Sequence, residues 1–127
     1  MANTIKTMRV VAKDGKVVFK GWPRFLAAWR AGKMKNQTHD EVLRAAQEDI
    51  TFSLACFLVG AERNCYFCYS WDWTAKDGSL DWYPEFDKPL GEPRGDALQG
   101  GWIFKREFKH AAVFVDLENR TAKIDWR

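Results

Sequence analysis

The sequence predicts an α+β fold in which one short and one long helix pack on a mainly antiparallel sheet. Three observations support this class: an N-terminal segment with β-hairpin alternation, a long segment with helical periodicity, and alternating segments near the C-terminus. With 127 residues, the chain is predicted to form a single domain (1–127) around one core. A complete (β/α) barrel needs about 250 residues, so this length falls well short of one.

The first predicted element is a β-hairpin over residues 4–21. Its sequence, TIKTMRVVAKDGKVVFKG, alternates around Asp14-Gly15, a dipeptide that is typical of tight hairpin turns. A short helix is predicted next, in WPRFLAAWRAG. Pro23 suits the first turn of that helix, and Gly32 suits its C-terminal cap.

The long helix has the clearest sequence signals in the chain. Thr38 and Glu41 have the spacing of a capping box, which satisfies backbone N–H groups at a helix start. Apolar residues then recur at helical spacing up to Gly60, which is predicted to end the helix. After Phe52 the segment is apolar on almost every side, so we expect its C-terminal half to be buried more deeply.

Strand segments and one long loop follow this helix. The uncharged aromatic stretch NCYFCYSW (64–71) is typical of a central strand that is covered on both faces. Residues 72–100 are rich in Asp, Gly and Pro and predict a long aromatic-acidic loop, which in a compact domain is usually functional. Three alternating strands complete the predicted sheet: GWIFKREFK (101–109), AAVFVDL (111–117) and TAKIDWR (121–127).

Composition excludes several classes of protein. No segment approaches the ~20 consecutive apolar residues of a membrane span. The N-terminal residues also lack the apolar stretch of a secretory signal. Three cysteines are an odd number, so we expect reduced thiols in a cytoplasmic protein.

Charge is distributed unevenly along the chain. Residues 1–36 carry nine basic and one acidic side chain, whereas residues 37–100 carry five basic and twelve acidic ones. This opposition predicts either internal pairing or self-association, and we expect a homo-oligomer. The basic first segment also leaves nucleic-acid binding open as the least favoured partner class, because no recognition motif accompanies it.

Cysteine and histidine residues do not predict a metal or a cofactor. Cys65 and Cys68 form a C-x-x-C, but a zinc site needs two further ligands. Residues three apart on a strand also point to opposite faces. His39 and His110 have no adjacent nucleophile. We therefore expect the thiols to pack as small hydrophobic groups.

Aromatic and acidic residues are concentrated in and beside the 72–100 loop. Tryptophan offers a flat apolar face for a sugar ring, and carboxylates accept hydrogen bonds from hydroxyl groups, so this composition favours a carbohydrate or small-ligand site. The alternative is a solvated loop whose aromatic side chains anchor it to the core. The candidate ligand-binding residues are Trp71, Asp72, Trp73, Trp82, Tyr83, Glu85, Asp87 and Arg106.

Three stretches resemble the C-terminal end of hypothetical glycosyl hydrolase-like proteins, a bacterial group with an expected (β/α)-barrel fold. They are FLVGAERNCYFCYSWDW (57–73), WYPEFDKPLGEPRGDA (82–97) and FKREFKHAAVFVDLENRTAKIDW (104–126). KVVFKGWP (16–23) is similar to the preceding barrel strand. The resemblance implies the closing region of a barrel, whereas the catalytic acids of such barrels lie on earlier strands.

The sequence therefore predicts a non-catalytic binding or assembly domain whose ligand site lies at the aromatic-acidic loop. Two alternatives stay open at this point. One is a small glycoside hydrolase whose site forms across an oligomer interface, with Asp72 and Glu85 as its acid pair. The other is a nucleic-acid-binding protein that uses the basic N-terminal region.

Overall fold

Helix α3 (His39–Gly60) lies at the centre of the molecule, where it contacts two separate sheets and helix α1 (Ala2–Val11). The computed structural model describes all 127 residues and confirms the α+β class with mainly antiparallel strands. The other elements are α2 (Leu26–Arg30), β1 (Val17–Gly21), β2 (Cys65–Tyr69), β3 (Leu98–Gly100), β4 (Ile103–Glu107), β5 (Ala111–Asp116) and β6 (Thr121–Trp126).

The capping box predicted at the start of α3 is confirmed. The Thr38 hydroxyl accepts a hydrogen bond from the Glu41 backbone N–H at 3.2 Å, and the Glu41 carboxylate accepts one from the Thr38 N–H at 2.9 Å. Every residue from 53 to 60 is buried. Because an α-helix has 3.6 residues per turn, such a run requires cover on all sides. This cover explains why the segment after Phe52 is apolar all round.

Four antiparallel strands form one sheet in the order β3-β4-β5-β6. Phe104 and Arg106 on β4, and Val113 and Val115 on β5, are buried on the face that packs against α3. The intervening residues of β4, such as Lys105, are exposed. This alternation is the one that the sequence predicts, with one face in the core and one in water.

Strands β1 and β2 form a separate two-stranded sheet and run parallel, with a register from Val17 opposite Cys65 to Gly21 opposite Tyr69. Helices α2 and α3 provide the crossover that parallel strands need. Val18 and Tyr66 lie on the face away from α3 and are 66% and 51% exposed. The prediction of a central strand covered on both faces is therefore wrong for β2, which has one strand neighbour and one open face.

The predicted N-terminal hairpin is wrong in its first arm, although its second arm is strand β1. Residues 2–11 form helix α1, because Ile5 and Met8 share a helical face that is buried against α3. Gly60 allows this close approach. A Cβ atom there would lie 2.5 Å from the Met8 Cε and 3.0 Å from the Ile5 Cγ2.

The long loop has little regular structure, as predicted. It contains two short 3₁₀ helices, Ala75–Asp77 and Pro84–Asp87, before β3 begins. None of the helices in the structure has both the length and the apolar character needed to cross a membrane.

Candidate functional site

The carboxyl ends of β1 and β2 bring together residues that are distant in the sequence. Trp22 follows β1, and Asp72 and Trp73 follow β2, so the parallel pairing places all three at one edge of the sheet. Lys20, near the end of β1, and Arg30, at the end of α2, contact the same group. We call these five residues the Trp22–Trp73 cluster.

Two indole rings form the apolar part of the cluster. The ring centroids of Trp22 and Trp73 lie 5.2 Å apart with an interplanar angle of 81°, an edge-to-face geometry that aromatic rings favour. Trp73 is 68% exposed. Most of its surface is therefore open to a ligand, while its contact with Trp22 fixes its position.

Lys20 lies against both indoles. Its Nζ is 4.6 Å from the Trp22 ring centroid and 5.1 Å from that of Trp73, within the range of cation–π contacts. The ammonium group donates a hydrogen bond to the Ser70 hydroxyl and approaches the Asp72 backbone carbonyl at 3.5 Å. Burial lowers the pKa of Lys20, and the nearby Cys68 and Asp72 oppose that shift.

Arg30 and Asp72 supply the other polar groups of the cluster. An Arg30 Nη2 atom lies 3.6 Å from the Asp72 Oδ1, and the Arg30 guanidinium lies 5.7 Å from the Trp22 ring centroid. The cluster thus combines flat apolar surface, hydrogen-bond donors of two types and one carboxylate acceptor. This combination suits a ligand with an apolar face and a hydroxyl rim.

Two of the candidate aromatic residues lie in the core. Trp71 is fully buried against Phe25, Trp29 and His39. Tyr83 is buried edge-on against Tyr69. The two side chains tie the long loop to the core, which is the anchoring role that the sequence left open.

Trp82 and Glu85 lie in a different place, which we call the Trp82 groove. It is a cavity of about 330 Å³ lined by Leu54, Leu58, Phe67, Trp82, Glu85, Phe86, Lys88, Leu90 and Trp126. Trp82 packs edge-on against Phe86 and is 66% exposed. The Lys88 Nζ lies 5.4 Å from the Trp126 ring centroid.

The remaining two candidates are also separate from the cluster. Asp87 is exposed at the end of a 3₁₀ helix. Arg106 is buried, and its guanidinium donates hydrogen bonds to the carbonyls of Leu58 and Ala61, at 3.1 and 2.5 Å. These carbonyls belong to the last turn and C-cap of α3, so the contacts satisfy backbone acceptors that the helix leaves unpaired.

Sequence reasoning thus found Asp72 and Trp73 of the cluster and missed Lys20, Trp22 and Arg30 as residues of a carbohydrate or small-ligand site. The signal that could have found them is the β1–β2 pairing, since parallel strands place their carboxyl ends at one edge. The structure also shows internal charge pairing between the basic first segment and the acidic middle. These ion pairs are Arg9–Glu62, Arg9–Asp96, Arg24–Asp49 and Arg30–Asp72.

Comparison with protein families gives a match over most of the chain. The model of hypothetical glycosyl hydrolase family 15 matches residues 11–112, a range that contains the whole Trp22–Trp73 cluster and the Trp82 groove except Trp126. A search of curated proteins found no significant match. The resemblance seen in the sequence is confirmed and extends further toward the N-terminus than residue 57. The chain belongs to hypothetical glycosyl hydrolase family 15.

Proposed function

We propose that this protein binds saccharides without hydrolysing them, and that the Trp22–Trp73 cluster is the binding site. The observation that carries the proposal is an exposed tryptophan beside hydrogen-bonding side chains at the carboxyl edge of two parallel strands. Barrel enzymes hold their substrates at this edge. Membership of a glycosyl hydrolase-like family supports a sugar as the ligand.

The chemistry of the cluster fits a sugar ring. A pyranose has an apolar C–H face, which the Trp73 indole can cover at little conformational cost because tryptophan has only two side-chain torsions. The hydroxyl groups around the ring need donors and acceptors. Lys20 and Arg30 supply donors, and Asp72 supplies an acceptor.

The arrangement of carboxylates favours binding over hydrolysis. Glycoside hydrolysis usually requires two carboxyl groups that flank one glycosidic bond. Asp72 is the one carboxylate of the cluster, and it is paired with Arg30. Glu85, the other member of the acid pair considered from the sequence, lines the Trp82 groove instead.

Isothermal titration against a panel of oligosaccharides tests this proposal, with two matched tryptophan variants. Trp73 and Trp82 are almost equally exposed, so neither truncation should unfold the protein. We expect Trp73→Ala to weaken binding about tenfold or more and Trp82→Ala to leave the affinity unchanged. Failure of every oligosaccharide to bind, or the opposite ranking of the two variants, would contradict the proposal.

Assembly is a second candidate function, and the open face of β1 and β2 favours it. Parallel sheets are normally covered on both faces, yet Val18 and Tyr66 are exposed here and each strand has one unpaired edge. We propose that a second copy of this chain covers the face. A copy related by a two-fold axis brings the same exposed Val18 and Tyr66, so the face can pack against itself.

Sedimentation velocity tests the assembly proposal. Tyr66→Lys places a charge on the open face and is expected to convert an oligomer to a monomer. Leu80→Lys is the matched control, because Leu80 is exposed in the long loop and belongs to neither strand. A wild-type protein that stays monomeric at high micromolar concentration would exclude the second copy.

A further inference from the structure

Lys20 is partly buried and has no carboxylate partner. The ion pairs involve Arg9, Arg24, Arg30, His39, Arg106, Lys123 and Arg127, but not Lys20. Its hydrogen-bonding partners are two neutral oxygens, the Ser70 hydroxyl and the Asp72 carbonyl. The nearby Asp72 carboxylate is engaged with Arg30.

Two neutral oxygens and two indole rings replace part of the water that the Lys20 ammonium group has lost, but no carboxylate pairs with it directly. Burial of a charge is unfavourable unless a counter-charge or several hydrogen bonds replace the solvent. The lowered pKa of Lys20 has the same cause, since desolvation is the largest contribution to it. An ammonium group has three N–H donors, and the two oxygens leave one of them for a ligand.

A cavity that borders the Trp22–Trp73 cluster carries more positive than negative side chains. It has a volume of about 710 Å³, within the usual range for ligand sites, and it meets the cluster at Lys20 and Trp22, whereas Trp73 does not line it. Its charged side chains are Lys20, Arg24, Glu118 and Arg120. Arg24 is paired with Asp49, which does not line the cavity. The remaining charged side chains of the lining are two cations, Lys20 and Arg120, and one carboxylate, that of Glu118.

We infer that the saccharide bound at the Trp22–Trp73 cluster is acidic, with a carboxylate that pairs with Lys20, as in a uronic acid. This inference rests on the proposed saccharide-binding function and names its ligand class. The carboxylate accepts a hydrogen bond from the third N–H of the ammonium group and forms the direct ion pair that Lys20 lacks, since the nearby Asp72 carboxylate is paired with Arg30. The pyranose ring lies against Trp73.

The test compares two probes, trigalacturonic acid and its fully methyl-esterified form, which share ring geometry and differ in charge. Titration of the wild-type protein at low ionic strength is expected to show about tenfold or more tighter binding of the acid, the size of one charge-assisted hydrogen bond. Added salt should weaken binding of the acid more than binding of the ester.

Two lysine variants test whether Lys20 is responsible for the tighter binding of the acid than of the ester. Lys20→Met keeps the apolar stem between the indoles and removes the charge, so acid and ester should bind within about twofold of each other. Lys88→Met is the matched control, because Lys88 also lies over a tryptophan ring but in the Trp82 groove. It should keep the full preference.

The outcomes separate this inference from the function on which it rests. Equal wild-type affinity for the two probes, or a tenfold preference that survives in Lys20→Met, overturns the acidic ligand while saccharide binding stands. The wild-type comparison needs no variant, so it decides the question even if Lys20→Met fails to fold. Failure of both probes and of every neutral oligosaccharide to bind overturns both proposals.

Discussion

The two sheets that contact α3 differ in how completely this chain covers them. The antiparallel sheet β3–β6 buries one face against α3, and its other face carries exposed Lys105 and Glu107 together with exposed Ile103. The parallel pair β1–β2 also packs against α3, but its second face carries exposed Val18 and Tyr66. The antiparallel sheet therefore contributes a broad buried face to the core, whereas the parallel pair leaves a face on which binding or assembly is proposed.

Thiol reactivity should show the largest difference between the core around α3 and the open face of β1 and β2. Cys56 is fully buried near the C-terminal end of α3, and burial raises the pKa of its thiol to about 12, so the reactive thiolate is scarce at neutral pH. Cys68 is half-buried on the open face of β2. We expect alkylation of Cys56 to be about a thousandfold or more slower, because it requires unfolding.

Mass spectrometry of the protein during iodoacetamide labelling measures both rates on the same molecules. Labelling in denaturant is the control and should equalise the two cysteines. Slow labelling of Cys68 that speeds up on dilution would indicate that a second copy covers the open face. Rapid labelling of Cys56 in the native protein would contradict the central position of α3.

The neighbouring residues Trp71 and Trp73 sharpen the comparison in terms of stability. Trp71→Ala removes a fully buried indole from its contacts with Phe25, Trp29 and His39. We expect it to lower the free energy of unfolding by about 3–5 kcal/mol. Trp73→Ala should change that free energy by less than about 1 kcal/mol, because the side chain is mostly exposed.

Urea denaturation followed by far-ultraviolet circular dichroism measures both values. Equal destabilisation by the two substitutions would mean that Trp73 belongs to the core. In that case it could not serve as the main sugar platform.

A smaller difference in the free energy of unfolding is expected between two Val→Ala substitutions, one on each sheet. Val115→Ala removes two methyl groups from the buried face of β5 and should cost about 2–3 kcal/mol. Val18→Ala removes the same groups from the open face of β1 and should cost less than about 1 kcal/mol in the monomer. The two midpoints of urea unfolding give the comparison directly. A large cost for Val18→Ala that grows with protein concentration would point to a contact between copies.

Local sequence signals predicted α3 and the strands β4 to β6. The capping box of Thr38 and Glu41 acts within one helical turn, and β5 and β6 are joined by a short turn that keeps their alternation in register. The prediction of a strand as the first arm of a hairpin was wrong for a physical reason. Residues 4–11 satisfy both alternation and the helical spacing of Ile5 and Met8, and tertiary contact with α3 decides between them.

The Trp22–Trp73 cluster could be predicted only in part, because it depends on a long-range pairing. Asp72 and Trp73 were found from local composition, whereas Lys20 and Trp22 join them only through the parallel register of β1 and β2. Composition also could not separate buried Trp71 from exposed Trp73, which are two positions apart. Burial of each ring is set by α2, α3 and the loop around it.

The most direct test of the central claim is an NMR titration that follows the indole N–H signals of the seven tryptophans. Each ring reports on its own part of the molecule, and single Trp→Phe variants assign the signals. With trigalacturonic acid as ligand, we expect concentration-dependent shifts of the Trp22 and Trp73 signals and none for Trp82 and Trp126. Shifts confined to Trp82 and Trp126 would contradict a saccharide site at the carboxyl edge of the parallel strands.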